Sequence, residues 1–309
     1  ELRLASHTEN AVNFQLGIYV QEVEQEFDAY QYAANIGLVA PDPITGNGYD
    51  YNKHHFLDTD VFSGFAAVYW DINERTELTF GARYTDEEKS GRIEIPYVHL
   101  FLQGAFSAPP LINGLEFDDD NISPEIAINY YINDDISVFG AYKEGFKSGG
   151  IDNSALPTAS LAPTDGNFDF LQYDSEESEG FEVGMKGNFL DGTLRVNATA
   201  FSYEYSDLQV QLFNSVAIQF STFNASALET EGVEFDFLCE TSVPGLSLRG
   251  AWALTDTSYS EDFINATGEN LKGEDGAGSA DLSGFMGASL DRSLGGAWRV
   301  NLSADFRYT

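Results

Sequence analysis

The sequence predicts an all-β fold, a transmembrane antiparallel up-and-down β-barrel with about twelve strands. Three observations predict it. Apolar and polar residues alternate with period two from one end of the 309-residue chain to the other. The connections between alternating segments are short and long in turn. No run of 18 apolar residues offers a helical membrane span.

The elements follow in chain order. Val12, Phe14, Leu16, Ile18 and Val20 alternate with Asn13, Gln15, Gly17 and Tyr19. The stretch 61–70 is apolar on both sides and departs from the alternation. Leu78, Phe80, Ala82 and Tyr84 alternate with Glu77, Thr79, Gly81 and Arg83. Ile122, Ile126, Ile128 and Tyr130 oppose Ser123, Glu125 and Asn129. Phe181, Val183, Met185 and Phe189 oppose Glu182, Gly184, Lys186 and Asn188. Val233, Phe235 and Phe237 oppose Glu234 and Asp236, and Trp298 through Phe306 repeats the pattern against Asn301 and its neighbours. Successive side chains of a strand point to opposite faces, so each segment has one apolar and one polar side. Short turns rich in Asn, Asp, Gly, Pro and Ser lie at 7–11, 71–75, 133–135, 191–193, 241–245 and 292–296. Long polar stretches lie between them, at 27–56, 86–120, 151–175 and 256–278.

Two all-β readings fit this pattern. Structureless loops beyond roughly 12–15 residues are rare in a compact soluble β-sandwich or solenoid. An outer-membrane barrel has them by design, with short turns at one end and long loops at the other. The loop lengths therefore favour the barrel, with Phe80, Ile126, Phe181, Phe235 and Leu302 facing lipid and Arg83, Glu125, Lys143, Glu182, Lys186 and Glu234 facing the lumen.

Composition excludes other classes. Fifteen basic against 50 acidic residues give a net charge of −35, which repels a phosphate backbone and argues for no nucleic-acid partner. With 24 Phe and 16 Tyr the chain is no disordered acidic tail. One cysteine, Cys239, precludes an intrachain disulfide framework and a multi-cysteine metal cluster. No nucleophile–base–acid set can be assembled, so the chain reads as a non-enzyme without cofactor. Gly145, Gly149 and Gly150 lack the lysine–serine spacing and following helix of a phosphate loop. Asp118, Asp119 and Asp120 lack the spaced ligands and glycine of a calcium loop. His54 and His55, with Asp50 and Asp58, make a candidate ligand loop, but no metal site is assigned to them.

Two stretches resemble a known family. Ile122 through Tyr130, the turn 133–135, and Val138 through Gly150 resemble the barrel of TonB-dependent outer-membrane receptors. The motif comprises Tyr142, Gly145, Phe146, Lys147, Ser148, Gly149 and Gly150, and the likeness is close from Gly145 to Gly150. The second stretch runs from Glu176 to Glu234 and includes Glu179 through Lys186, Phe189 through Gly192 and Glu231 through Glu234. Glu1 through Ser6 and Phe80 through Thr85 are similar to further barrel segments. The resemblance implies a receptor of the Gram-negative outer membrane, with a 22-strand parent barrel of which residues 1–309 form a part without the plug domain. It also implies energy-coupled uptake of a scarce small-molecule ligand, a ferric siderophore first, with vitamin B12 or an oligosaccharide as alternatives. The implied partners are outer-membrane lipid, the plug domain of the same parent chain and, through that plug, the TonB complex. A passive porin-like or adhesin-like barrel and a secreted glycan-binding sandwich are the rival functions. The start at Glu1 and the end at Thr309 read as an internal piece of such a barrel, which predicts an open curved sheet.

Overall fold

The computed structural model describes residues 1–31, 40–48, 51–100, 103, 111–152, 168–214, 219–265 and 268–309. Twelve strands among them form one open antiparallel sheet whose spatial order is the chain order. They are β1 (Leu2–Ala5), β2 (Val12–Gln31), β3 (Tyr51–Asn73), β4 (Thr76–Val98), β5 (Leu111–Tyr131), β6 (Ile136–Lys147), β9 (Glu176–Phe189), β10 (Leu194–Ser206), β13 (Leu228–Glu240), β14 (Leu246–Tyr259), β15 (Leu282–Gly295) and β16 (Trp298–Tyr308). Two small ribbons lie off the sheet, β7 (Gly150–Ile151) with β8 (Gln172–Tyr173) and β11 (Gln209–Asn214) with β12 (Gln219–Asn224). β1 and β16 are the edges, and no ladder joins them among the described residues.

An up-and-down order puts alternate connections at the same end, so the short turns share one end and the long connections the other. The register also assigns faces. Val68, Phe80, Ile126, Tyr142 and Phe181 are successive cross-strand partners and form one apolar row. Phe235 and Leu302 lie on that same face by the period of two, whereas Arg83, Glu125, Lys143, Glu182, Lys186, Glu234 and Asn301 lie on the other. The apolar face is bare: Phe80, Ile126, Phe181, Phe235 and Leu302 are 39% to 65% exposed, so no second sheet covers them as a sandwich requires.

The strands are longer than the alternation predicts. Stretches 27–56 and 86–120 read as loops, yet the β2–β3 ladder runs on to Gln31 opposite Tyr51, and β4 reaches Val98. The ladder uses backbone groups, which pair whatever the side chains are. Beyond the apolar rows the outer face turns acidic and the inner face mixes charges with apolar residues such as Ile93 and Ile112, so the contrast that marks a strand is lost while the strand continues. On the apolar side this extension carries Glu22, Glu24, Asp58, Asp60, Asp86, Glu88, Asp118 and Asp120. A further long connection holds β11 and β12, whose own alternation conceals it among the barrel strands in the sequence.

Aromatic rings thin the sheet where they meet glycine. Among the described residues, Phe65, Tyr203, Phe139, Phe201, Phe237 and Trp252 stand directly opposite Gly17, Gly180, Gly184, Gly232, Gly250 and Gly284. Each ring fills the space a Cβ would need, 2.1 Å from the ring in the case of Gly17 and Phe65. The bare glycine lets the ring lie down on the backbone and cover its hydrogen bonds. Gly17→Ala should therefore lower stability by about 1–3 kcal/mol through overpacking. Combining it with Phe65→Ala should cost less than the sum of the two single changes, measured by denaturant unfolding in detergent. Additive losses would show that ring and glycine are not coupled.

Candidate functional site

The cations of the polar face are held by neighbouring hydroxyls, rings and a carboxylate. Arg83 donates to Ser63 Oγ at 2.9 Å and Thr85 Oγ1 at 3.2 Å, and its guanidinium lies over the rings of Tyr19 and Phe65. Lys143 stands opposite Glu125 and donates to Glu182 at 3.0 Å, while Tyr203 donates to the other Glu182 oxygen at 2.6 Å. Lys186 lies over the Phe139 ring. Glu234 stands opposite Thr199 and Ala253. In this part of the wall Arg83, Lys143 and Lys186 each already have an acceptor or a ring.

The motif at 142–150 does something different at each end. Tyr142 is on the apolar face, its hydroxyl 2.6 Å from Glu144 and 2.8 Å from Glu179. β6 parts from β5 after Lys143 but stays on β9 until Lys147 opposite Glu176. Phe146 and Gly145 continue that ladder. The chain then turns across the polar face of β4 and β5, where Lys89 fastens it. The Lys89 ammonium contacts Glu87 at 2.7 Å, Ser148 Oγ at 3.2 Å and the Gly149 carbonyl, which uses its three donors. Gly149 donates to Ser175 Oγ, which in turn donates to Asp119. A Cβ at Gly149 would sit 2.2 Å from the Tyr173 carbonyl and 2.5 Å from the Phe117 ring, so only glycine fits this crossing. At the neighbouring Gly150 a Cβ would meet the Tyr173 hydroxyl at 3.1 Å.

The crossing delivers β7 and β8 onto the sheet and creates the main apolar core among the described residues. Ile151 and Leu171 pack against Ile93, Ile95, Ile112 and Leu115. The β11–β12 ribbon closes the layer: Thr222 N donates to Asp152 at 2.8 Å, and Asn224 exchanges two hydrogen bonds with Asp174 at 2.8 Å. The first long connection is tied down by Asp42. Its carboxylate accepts from the backbone of Ile44, Thr45 and Leu100 and from Tyr97, which holds it far below the usual carboxylate range.

Under this layer lie three ionisable groups, Lys53, His55 and Asp152, each at most 3% exposed. Burial pushes the Lys53 ammonium down to about 8, opposed by the Asp152 carboxylate. Burial and the neighbouring Lys53 push the His55 imidazole down to about 4, again opposed by Asp152. His55 Nε2 has no hydrogen-bond partner. All three lie beyond the apolar rows, near the ends of the strands that carry the long connections.

His54 and His55 correct the sequence reading, which set them in a loop. Both are on β3, and adjacent strand residues point to opposite faces, so they cannot share one ligand. His54 is on the apolar side, in contact with Asp28. Asp58 lines an acidic cleft of about 590 Å³ on that side with Asp60, Asp86, Glu88, Asp118 and Asp120. Asp50 lies outside the described residues. Sequence reasoning missed Lys53, Lys89 and Asp152, because distant partners leave no local signal: those of Lys89 lie 59 and 60 positions along the chain, and Thr222 lies 70 from Asp152.

The family model described as TonB dependent receptor-like, beta-barrel matches residues 3–309. The chain belongs to this family, whose barrels are outer-membrane transport receptors of Gram-negative bacteria rather than enzymes. Solved structures share the fold at low identity. The ferric yersiniabactin uptake receptor FyuA from Yersinia pestis is 16% identical, with a TM-score of 0.69 over 94% of this chain and 39% of its own. The ferric preacinetobactin receptor BauA from Acinetobacter baumannii is 15% identical, with a TM-score of 0.62 over 99% and 42%. The copper transporter OprC is 13% identical, with a TM-score of 0.61 over 99% and 43%. The chain thus spans about two fifths of the length of these receptors. No curated protein matches the sequence directly.

The buried His55 makes the ribbon layer sensitive to acid. Its pKa is about 4 folded against 6.5 for the free side chain. Between those values the unfolded segment binds more protons, so stability is complete above pH 6.5 and falls as pH drops towards 4, by at most roughly 3 kcal/mol. The Asp152 amide, bonded to the Leu171 carbonyl at 2.6 Å, should lose protection across that window once intrinsic exchange is subtracted. His55→Phe should flatten the dependence. An unchanged pH profile in His55→Phe would assign the effect elsewhere.

Proposed function

We propose that residues 1–309 are barrel wall of a receptor for energy-coupled ligand import, with the apolar face against outer-membrane lipid and the polar face towards the lumen. The single observation that supports this most is the register: one apolar row runs unbroken across β3, β4, β5, β6 and β9, while its opposite face carries charged residues, Lys143 and Glu182 among them as a pair. In this reading Phe80, Ile126, Phe181, Phe235 and Leu302 meet lipid. Arg83, Glu125, Lys143, Glu182, Lys186 and Glu234 line the passage beside a plug domain of the same receptor. TonB acts on that plug, and the wall carries no covalent chemistry.

The motif Gly145–Gly150 then has a structural task, the inward turn that sets the two ribbons at the outer mouth. The ligand class that best fits is a ferric siderophore, since FyuA and BauA are described as receptors for ferric complexes of that kind. The net charge of −35 sets a restriction, because an acidic mouth repels strongly anionic chelates and favours neutral or cationic ones. The test is growth of an iron-starved strain that carries the full-length receptor in place of its own uptake receptors. A panel of ferric siderophores should include at least one that restores growth, and deleting TonB should abolish the rescue. Growth on cobalamin or an oligosaccharide instead would replace the ligand class. Uptake that persists without TonB would make the barrel a passive pore.

A further inference from the structure

The β2–β3 hairpin places Asp28 opposite His54 and Glu26 opposite Phe56, so Glu26, Asp28 and His54 share the apolar-side face beyond the membrane rows. One ligand atom from each lies within 4.8 Å of the other two. Two rungs separate this group from Val20 and Phe62, and both are pairs of like charge, Glu22 with Asp60 and Glu24 with Asp58. Opposed carboxylates destabilise a ladder, and their combined field concentrates cations. Arg92 on the next strand does not neutralise them, because it lies over the Phe56 ring at 4.0 Å and pairs with Glu94 at 3.1 Å.

A second, independent observation concerns Asn52, two residues from His54 on the same face of β3. Asn52 is 9% exposed, its amide nitrogen lies 3.1 Å from His54 Nε2, and its amide oxygen has no partner. The two ends of an amide are told apart only by the bonds they make. Turned over, Asn52 offers its oxygen to an Nε2–H, which leaves the lone pair of Nδ1 facing Asp28 and Glu26. In that tautomer three lone-pair donors converge, and a divalent cation satisfies them in place of the proton that His54 otherwise shares with Asp28; an amide on the far nitrogen is the usual outer support of a metal-bound imidazole.

We propose that Glu26, Asp28 and His54 bind a divalent transition-metal ion of the Zn²⁺ class, with Asn52 fixing the imidazole tautomer. One nitrogen and two carboxylate oxygens, with a position open to water, suit Zn²⁺ and its late first-row neighbours. Ca²⁺ and Mg²⁺ take oxygen ligands and gain nothing from the imidazole. The ion bridges β2 to β3 above the lipid and replaces the proton now shared by His54 and Asp28. The proposal stands on the hairpin alone and does not depend on the imported ligand.

The test is calorimetric titration of the full-length receptor in detergent with ZnCl2, supported by visible absorption of bound Co²⁺. His54→Gln and Asp28→Asn should each remove one equivalent of Zn²⁺ or weaken it at least tenfold. Asn52→Ala should weaken it by about 10–100-fold. Asp58→Asn, outside the ligand set, should change affinity less than threefold. Superimposable titrations of wild type and His54→Gln would overturn the site. So would equal competition by Ca²⁺, which would reduce it to a diffuse acidic field.

Discussion

A backbone that crosses hydrocarbon can place its N–H and C=O groups only on a neighbouring strand, since lipid offers no partner. In this chain one continuous antiparallel ladder from β1 to β16 meets that requirement for every strand between the two edges. The ladder fixes more than hydrogen bonds. With a side-chain period of two, a slip of one residue would exchange the apolar row from Val68 to Phe181 with the row that holds Arg83 and Lys143. The glycine–aromatic pairs reinforce the register, because each ring fits only when its glycine stands directly opposite.

The same ladder builds what lies beyond the membrane. Because β2 to β5 run on past their apolar rows, they raise a platform whose two sides differ. On the polar side, Lys89 and the glycine crossing bring the β7–β8 ribbon down on Ile93 and Ile112, burying Lys53 and His55. On the other side, nothing among the described residues covers the strands, and carboxylates accumulate there with His54 among them. One strand thus supplies two neighbouring histidines to two unlike environments, an apolar interior and an acidic surface.

What the sequence shows clearly is whatever lies within the apolar rows. There the contrast between faces is a local property, and the short turns, the strand order and the faces of Phe80 and Glu125 follow from it. Legibility ends where that contrast between the faces is lost. Residues 27–31 and 51–56 continue their strands without alternation, so they read as loop and His54 and His55 with them. The ribbons were hidden for a second reason. The motif at 145–150 is recognisable as a string, but its role depends on Lys89 and Tyr173, which reach it only through the fold. Asp152, Lys53 and Asn52 likewise acquire their character from partners that no spacing announces.

The central claim is that the two faces of this sheet meet different solvents, and spin-label accessibility along β5 tests it most directly. The full-length receptor, with Cys239 replaced by Ser, would be labelled singly at each position from 122 to 130 in lipid vesicles. Collision with oxygen should dominate at Ile122, Ile126, Ile128 and Tyr130, and collision with a water-soluble nickel chelate at Ser123, Glu125 and Asn129. A period of two with that phase supports the barrel wall. A flat profile, or the opposite phase, would contradict it.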